Sequence, residues 1–156
     1  MSARLFGVLP ADALATRSGL EILTAIAAGR LPQPPICKPL NFWLKEAAPG
    51  FVVFEGEPKA DFYNPLGAVH GGWPATLLDS AMACAVWTTM SAGQTYTTVE
   101  FKLNCTRPII EATGRVRCEA RVLHDGRRIA TSEGKLLDAS GKLLAHGTET
   151  CVIMSP

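Results

Sequence analysis

One charged side chain stands in an otherwise uncharged part of the sequence. Between Phe62 and Val99, Asp79 is the sole Asp, Glu, Lys or Arg, and its helical neighbours Ala75 and Met82 offer it no charged partner. Burying an unpaired carboxylate is costly, so this acid is either compensated by hydrogen bonds to backbone or a threonine, or it faces a cleft. An acid in a cleft is suited to acid–base or nucleophilic chemistry.

A second group of candidate residues lies just before this acid, in the segment His70-Gly71-Gly72. Glycines at a helix start let a ligand approach the backbone, and the free N–H groups there can stabilise a developing oxyanion. Each of these residues also has a structural explanation. The two glycines are typical of a tight turn, His70 of a hydrogen-bonded structural histidine, and Asn64 of a turn residue.

A long helix over residues 73–90 must position both groups. Pro74 suits its first turn, where the missing N–H costs nothing. Apolar residues cover more than one side, which predicts a helix buried nearly all round. They are Leu77, Leu78, Ala81, Met82, Ala85, Val86 and Met90. A shorter helix is predicted near the N-terminus, beginning at the capping-box residues Ser18 and Glu21 and ending near Gly29.

The rest of the chain is predicted mainly as strand. Residues 41–57 indicate two strands around the turn Ala48-Pro49-Gly50, and residues 59–69 are irregular. After the helix, apolar and polar residues alternate over 98–105 and 116–122, which places Thr98 on the face opposite to Phe101. Hairpin signals at 124–127 and 139–141 separate strands over 128–138 and 142–153. This order predicts an α+β fold, an antiparallel β-sheet wrapped around one long central helix.

The composition bounds the kind of molecule that these elements build. The chain has 156 residues, which predicts one domain over 1–156, with a helical leader over 1–35 and a core over 40–154. A formal net charge of +1 excludes electrostatically driven binding of nucleic acid or membrane. Charged residues make up 19% of the chain, and this low share favours a subunit that hides apolar surface in an oligomer.

The cysteines and the N-terminal residues suggest a cellular setting. The five cysteines show no CxxC spacing, and the N-terminus has no apolar signal core. We therefore expect a cytoplasmic protein with free thiols. The three histidines are far apart in sequence, so no metal site is expected.

The segment 64–82 resembles a known family. It carries the pattern N-x5-H-G-G-x6-D and is followed by the strand 98–101 and a Thr-Arg-Pro segment. This combination resembles the hotdog-fold acyl-CoA thioesterases, in particular their phenylacetate-pathway branch. The resemblance covers residues 40–154, and residues 18–30 are similar to the N-terminal helix of that branch. It implies a hotdog fold and the hydrolysis of an acyl-CoA thioester to a free acid and CoA.

The resemblance also implies a role for each residue that matches the motif. Asp79 matches the catalytic carboxylate, which either attacks the thioester carbonyl or activates water. Gly71 matches the residue whose backbone N–H polarises that carbonyl. His70 and Asn64 match polar residues that orient the water or the leaving group, and Thr98 falls where relatives carry a Ser or Thr that positions the water.

The same resemblance implies an assembly and a set of substrate contacts. Asp79 and Gly71 would come from opposite subunits, so we expect a homodimer or homotetramer with a shared active site. CoA would enter as part of the substrate, so no cofactor is expected. Its phosphates would meet basic residues such as Arg127 and Arg128, although a solvated hairpin tip also explains these two. Further substrate contacts are expected from Gly72 and Trp73, with Met82 and Trp87 lining the acyl pocket.

Three other functions are compatible with parts of the sequence. The segment 61–66 is similar to the signature of hotdog enoyl-CoA hydratases, but Gly67 stands where that signature has its histidine. A non-catalytic acyl-CoA sensor is a second alternative, although the chain has no basic DNA-binding segment and retains Asp79. Cys84 could serve a thiol hydrolase, but its position on the helix points it away from Asp79. The acyl group stays open between aryl, phenylacetyl and medium-chain fatty acyl thioesters.

Overall fold

The N-terminal part of the chain is helical, as the sequence predicts. A computed structural model describes residues 4–155, so positions 1–3 of the predicted leader and residue 156 of the predicted domain lie outside the described residues. Helix α1 spans Ala11–Thr16 and helix α2 spans Gly19–Ala27. The predicted capping box is present at the start of α2, where the Ser18 side chain accepts from the Glu21 N–H and the Glu21 carboxylate accepts from the Ser18 N–H.

Six antiparallel strands form one sheet. They are β1 Phe42–Ala48, β2 Phe51–Gly56, β3 Thr95–Cys105, β4 Val116–Asp125, β5 Ile129–Leu137 and β6 Leu143–Met154. Their order in the sheet is β1-β2-β4-β5-β6-β3, so β1 and β3 are the two edges. Every pairing is antiparallel, which confirms the prediction of an antiparallel sheet. The predicted turns at Gly50 and Gly141 are also present, each with a positive φ that favours glycine.

Helix α3 spans Gly72–Trp87 and packs against one face of the sheet. Leu77, Leu78 and Met82 are fully buried there, and Pro74 lies in the first turn, as predicted. The prediction of burial nearly all round is wrong on one side. A stripe of small and polar residues stays half-exposed in the single chain, because no strand or helix among residues 4–155 covers it. Its members are Ala75, Thr76, Asp79 and Ser80.

Strand β3 contains a bulge that changes which side chains share a face. Thr98 pairs with Cys151 of β6, whereas Phe101 pairs with Glu149, with a register shift between Thr98 and Glu100. The side chains of residues paired across antiparallel strands lie on the same face of the sheet. Cys151 and Glu149 are two positions apart on β6, so their side chains also share a face. Thr98 therefore shares the helix-facing side with Phe101, and the opposite placement predicted from simple alternation is wrong.

Candidate active site

Asp79 occupies the middle of the half-exposed stripe of α3. Burial raises the pKa of its carboxyl, and a hydrogen bond with the Thr98 side chain acts in the opposite direction. The sequence left two explanations open for Asp79: the nearby Thr98 hydroxyl supports compensation, and the partial exposure of Asp79 in the single chain leaves the carboxyl open to solvent. A carboxylate that is partly desolvated, close to one hydroxyl and open on one side can act as a base or a nucleophile.

A second acid, which sequence analysis missed, lies behind Thr98. The Thr98 hydroxyl donates to Glu149 Oε1 at 2.7 Å, and the Cys151 thiol lies 3.3 Å from the same oxygen. Glu149 is 1% exposed, and burial is the main reason why its pKa is raised to about 7. Strand alternation could have predicted that Glu149 faces inward, because it lies two positions from each of the inward-facing residues Gly147 and Cys151.

The turn before α3 presents one free backbone donor. The Gly72 N–H donates to His70 Nδ1 at 2.9 Å, which makes Nδ1 an acceptor and leaves the ring proton of a neutral His70 on Nε2. The Gly71 N–H donates to no acceptor among residues 4–155. Gly71 has φ −57° and ψ −19°, and a Cβ built there would meet nothing within 4 Å. Neither the backbone conformation nor neighbouring atoms of this chain demand a glycine at this position.

Asn64 borders the same open space. Its Oδ1 accepts the N–H groups of Leu66 at 2.9 Å and Ala68 at 3.4 Å, which confirms a turn role and fixes the amide orientation. Within the described part of the chain, Asn64 Nδ2 has no acceptor. A cavity of about 340 Å³ is lined by Asn64 and Gly71 on one side and by the segment 105–109 on the other. Two of the residues that line this cavity therefore carry an unused N–H donor.

The two halves of the predicted site are separated within one chain. Asp79 lies eight residues after Gly71, which is about 12 Å along the axis of α3 at ~1.5 Å per residue. A nucleophile must come within ~3–3.5 Å of the thioester carbon. The oxygen on that carbon would accept from the N–H at ~3 Å, so the N–H donor and the nucleophile must lie much closer together than Gly71 and Asp79 do in one chain. Asp79 and Thr98 are brought together, whereas Gly71, His70 and Asn64 form a separate group.

The remaining predicted site residues are divided between the buried core and the exposed surface. Trp73 is buried, its Nε1 donates to the Leu40 carbonyl at 2.8 Å, and its ring stacks on Phe62. Arg127 and Arg128 are exposed at the β4–β5 turn, and this turn lies near the C-terminal end of α3, because Thr89 just after the helix donates to Asp125 at the end of β4. Gly72 is the exposed first residue of α3, Met82 is fully buried, and Trp87 borders an apolar cavity of about 250 Å³.

The described residues form neither a metal-binding cluster nor a membrane-spanning helix. Among residues 4–155, no group of three or more His, Cys, Asp and Glu side chains is placed to hold a metal ion. Over the same range, no helix is both long and apolar enough to cross a membrane.

Cys84 is buried in the core as predicted, and burial raises the pKa of its thiol.

An antiparallel sheet packed on one long helix is the arrangement of the hotdog fold, and the comparisons with known proteins assign the chain to that class. The family model of the thioesterase superfamily matches residues 66–145, a range that includes Gly71, Asp79 and Thr98. The chain belongs to this superfamily and is therefore, by class, a thioester hydrolase. The fold and the family predicted from the sequence are both confirmed.

Individual relatives support the same assignment. The human protein acyl-coenzyme A thioesterase 13 is 29% identical over 136 residues, which cover 86% of this chain and 94% of that protein. A putative thioesterase from Ralstonia eutropha, described as phenylacetic acid degradation-related, has a TM-score of 0.75 and 28% identity, over 83% of this chain and 98% of that one. A mutant of the phenylacetic acid degradation protein PaaI from Thermus thermophilus has a TM-score of 0.69 and 31% identity, over 76% and 97%.

Proposed function

We propose that this protein hydrolyses the thioester of an acyl-CoA to a free acid and CoA, with Asp79 as the catalytic carboxylate. The observation that carries the proposal is the position of Asp79, half-buried on the open side of α3 and beside the Thr98 hydroxyl, in a chain of the thioesterase superfamily. The relatives named as acyl-CoA thioesterases support the CoA ester as the substrate class.

Two chemical routes use this carboxylate. In the first, an Asp79 oxygen attacks the thioester carbon, the C–S bond breaks, and water then hydrolyses the anhydride that forms. In the second, Asp79 takes a proton from a water molecule as that water attacks the carbon. In both routes Asp79 starts ionised and the departing thiolate takes up a proton. The Thr98 hydroxyl favours the ionised form of Asp79 in either case.

The carbonyl oxygen needs a donor where its negative charge develops. The unused N–H of Gly71 at the start of α3 supplies one, strengthened by the positive end of the helix dipole. The unused Nδ2 of Asn64, beside the same cavity, supplies a second donor for the carbonyl oxygen or the leaving sulfur. His70 positions this turn through its bond to the Gly72 N–H.

The separation of about 12 Å between Gly71 and Asp79 supports a site shared by two subunits. In a two-fold dimer, Gly71 of each protomer approaches Asp79 of the other, which requires the two α3 helices to lie side by side in opposite directions. The half-exposed stripe of α3 and the exposed edge strand β3 supply the surface for this contact. We extend the proposal to a homodimer, or a homotetramer built from such dimers.

This arrangement also accounts for the rest of the substrate. Antiparallel α3 helices bring the Gly71 end of one protomer next to the β4–β5 turn of the other, where Arg127 and Arg128 can meet the CoA phosphates. We propose an aryl, phenylacetyl or medium-chain acyl group. A panel of such acyl-CoA esters, followed by release of free thiol, would rank them.

The Asp79→Asn variant tests the proposal. The two side chains are nearly isosteric, so the melting temperature should change little, whereas kcat should fall by about 10²–10⁴-fold because the base or nucleophile is lost. Asp12→Asn, the same change at an exposed position in α1, is the matched control and should keep wild-type turnover. A loss below about threefold in Asp79→Asn, with the best ester of the panel, would assign the chemistry to another group.

A further inference from the structure

We propose that Glu149 is a positioning residue for Asp79: its carboxyl holds the Thr98 hydroxyl, and the proton it carries lets that hydroxyl donate to Asp79. The proposal rests on the catalytic role proposed above for Asp79. It assigns a function to an acid on β6 that lies outside the sequence motif.

The geometry isolates Glu149 from any positive charge. The side chain is 1% exposed, and no ion pair among residues 4–155 includes it. The Thr98 hydroxyl donates to Oε1 of Glu149, but Oε2 is buried without a hydrogen-bond partner among residues 4–155. Ser132 pairs with Glu149 across β5 and β6, and its Oγ is likewise buried without a partner in that range. An ionised carboxylate in such surroundings is strongly disfavoured, which agrees with a pKa raised to about 7.

A count of protons links Glu149 to Asp79. The Thr98 hydroxyl donates to Glu149 Oε1 at 2.7 Å and is also near enough to Asp79 to lower the pKa of that carboxyl, but a hydroxyl carries one proton and donates to one carboxyl at a time. If Glu149 is ionised, it takes that donor and also repels the charge of Asp79. If Glu149 is protonated, its O–H donates to Thr98 Oγ1, and Thr98 then donates to the ionised Asp79. The productive form is therefore Glu149 neutral and Asp79 charged.

The other titratable groups around Glu149 do not replace it in this role. They are Cys84 on α3, Tyr96 and Glu100 on β3, and Cys151 on β6. Burial raises the pKa of the Cys84 and Tyr96 groups, and raises that of Cys151 to about 12, so all three are neutral at physiological pH. Glu100 is exposed on the other face of β3. Asp79 and Glu149 are the two acids that face the Thr98 hydroxyl.

The pH dependence of kcat/KM tests the proposal. In the wild type we expect an alkaline fall with an apparent pKa near 7, as Glu149 ionises. Glu149→Gln keeps a permanent N–H donor toward Thr98 and cannot ionise, so it should retain activity at about pH 6 and lose the alkaline fall. The ratio of Glu149→Gln to wild-type kcat/KM should rise about tenfold between about pH 6 and about pH 8.

Two further variants separate positioning from simple packing. Glu149→Leu fills the space without supplying a hydrogen-bond donor, so its kcat should be lower than that of the wild type by about tenfold to a hundredfold at every pH. If Glu149 has only a structural role, the folded fraction of this variant should instead have a normal kcat. Thr98→Val removes the link, so adding Glu149→Gln to it should change the pH profile no further. An unchanged alkaline fall in Glu149→Gln would overturn the proposal.

Carboxyl ¹³C NMR supplies a readout that does not depend on turnover. A side-chain carboxyl that titrates near 7 should be present in the wild type, should titrate at a lower pH in Asp79→Asn because the charge of Asp79 is gone, and should be absent from Glu149→Gln. If that signal is missing from the wild type, the proposal for Glu149 fails, whatever the activity. If Asp79→Asn stays fully active while the NMR signal is as expected, the proposed function of Asp79 fails instead.

Discussion

Asp79 and Glu149 are two acids that lie beside a single hydroxyl, that of Thr98, which donates to Glu149 and lowers the pKa of Asp79. Asp79 keeps one open side, so water and substrate can reach it, whereas Glu149 is closed off by α3 and the sheet. Two neighbouring carboxyl groups, those of Asp79 and Glu149, therefore differ in how readily they are protonated. Pairs of acids whose surroundings separate their pKa values are a common basis for dividing acid and base roles.

Burial of Glu149 makes stability depend on pH. Folding raises its pKa from 4.5 to about 7, so the folded state holds a proton that the unfolded chain loses above 4.5. The free energy of unfolding should therefore fall as pH rises from 4.5 to 7, by about 3 kcal/mol. Glu149→Gln should lack this fall, as measured by urea unfolding across that range. Glu111→Gln, at an exposed position, is the control, and a wild-type-like slope in Glu149→Gln would contradict the assignment.

The open space around Gly71 leads to a prediction about catalysis rather than folding. Its φ of −57° is accessible to any residue, and a Cβ there meets nothing within 4 Å. Gly71→Val should therefore keep a near-normal melting temperature, while its methyl groups cover the N–H and lower kcat by about 10²–10³-fold. Both quantities should be measured on one preparation. Normal kcat in a folded sample would remove the Gly71 N–H from the mechanism.

At the scale of elements, β3 is an edge strand that leaves large apolar side chains exposed. It is an edge of the sheet, it runs from Thr95 to Cys105, and it leaves Val99 56% and Phe101 41% exposed. Natural proteins usually protect a long apolar edge, because its free N–H and C=O groups pair with other chains. The simplest protection is a second copy of the same strand across a two-fold axis.

A charge on this edge should weaken the proposed dimer. Phe101→Lys places an ammonium group on the helix-facing side of β3, so we expect dimer dissociation to become at least about tenfold easier, with unchanged circular dichroism. Analytical ultracentrifugation over a concentration series measures this. Leu123→Lys, at a residue 53% exposed on the interior strand β4, should leave the assembly intact. Equal behaviour of the two variants would move the interface away from β3.

At the scale of the whole molecule, the separation of Gly71 from Asp79 allows a complementation experiment. Asp79→Asn and Gly71→Val should each be inactive as homodimers. A mixed dimer has one site with both wild-type groups and one site with neither. Random mixing after refolding should therefore restore about one quarter of wild-type activity.

The opposite result is equally informative. A site contained within one chain predicts that the mixture stays as inactive as its components. Mixing Asp79→Asn with the double variant Asp79→Asn/Gly71→Val is the control, since no arrangement of these chains contains a wild-type acid. Activity in that control would point to contamination rather than to a shared site.

Much of this protein could be read from the sequence alone, because the signals are local. The capping box at Ser18, the hairpin turns and the apolar run of α3 each depend on residues a few positions apart, and all appear where predicted. Asp79 also stood out locally, as an acid without a charged neighbour. The motif around it was enough to identify the superfamily, which the family model confirms.

The tertiary structure alone decided how these residues meet. The bulge in β3 reverses the predicted side of Thr98, because one extra residue in a strand shifts every later side chain to the other face. Glu149 joins the site from β6, 51 residues beyond its partner Thr98, and pairing at such a distance depends on sheet order rather than on local pattern. The open side of α3 is likewise a property of the packed chain, since it depends on which strands cover the helix and which do not.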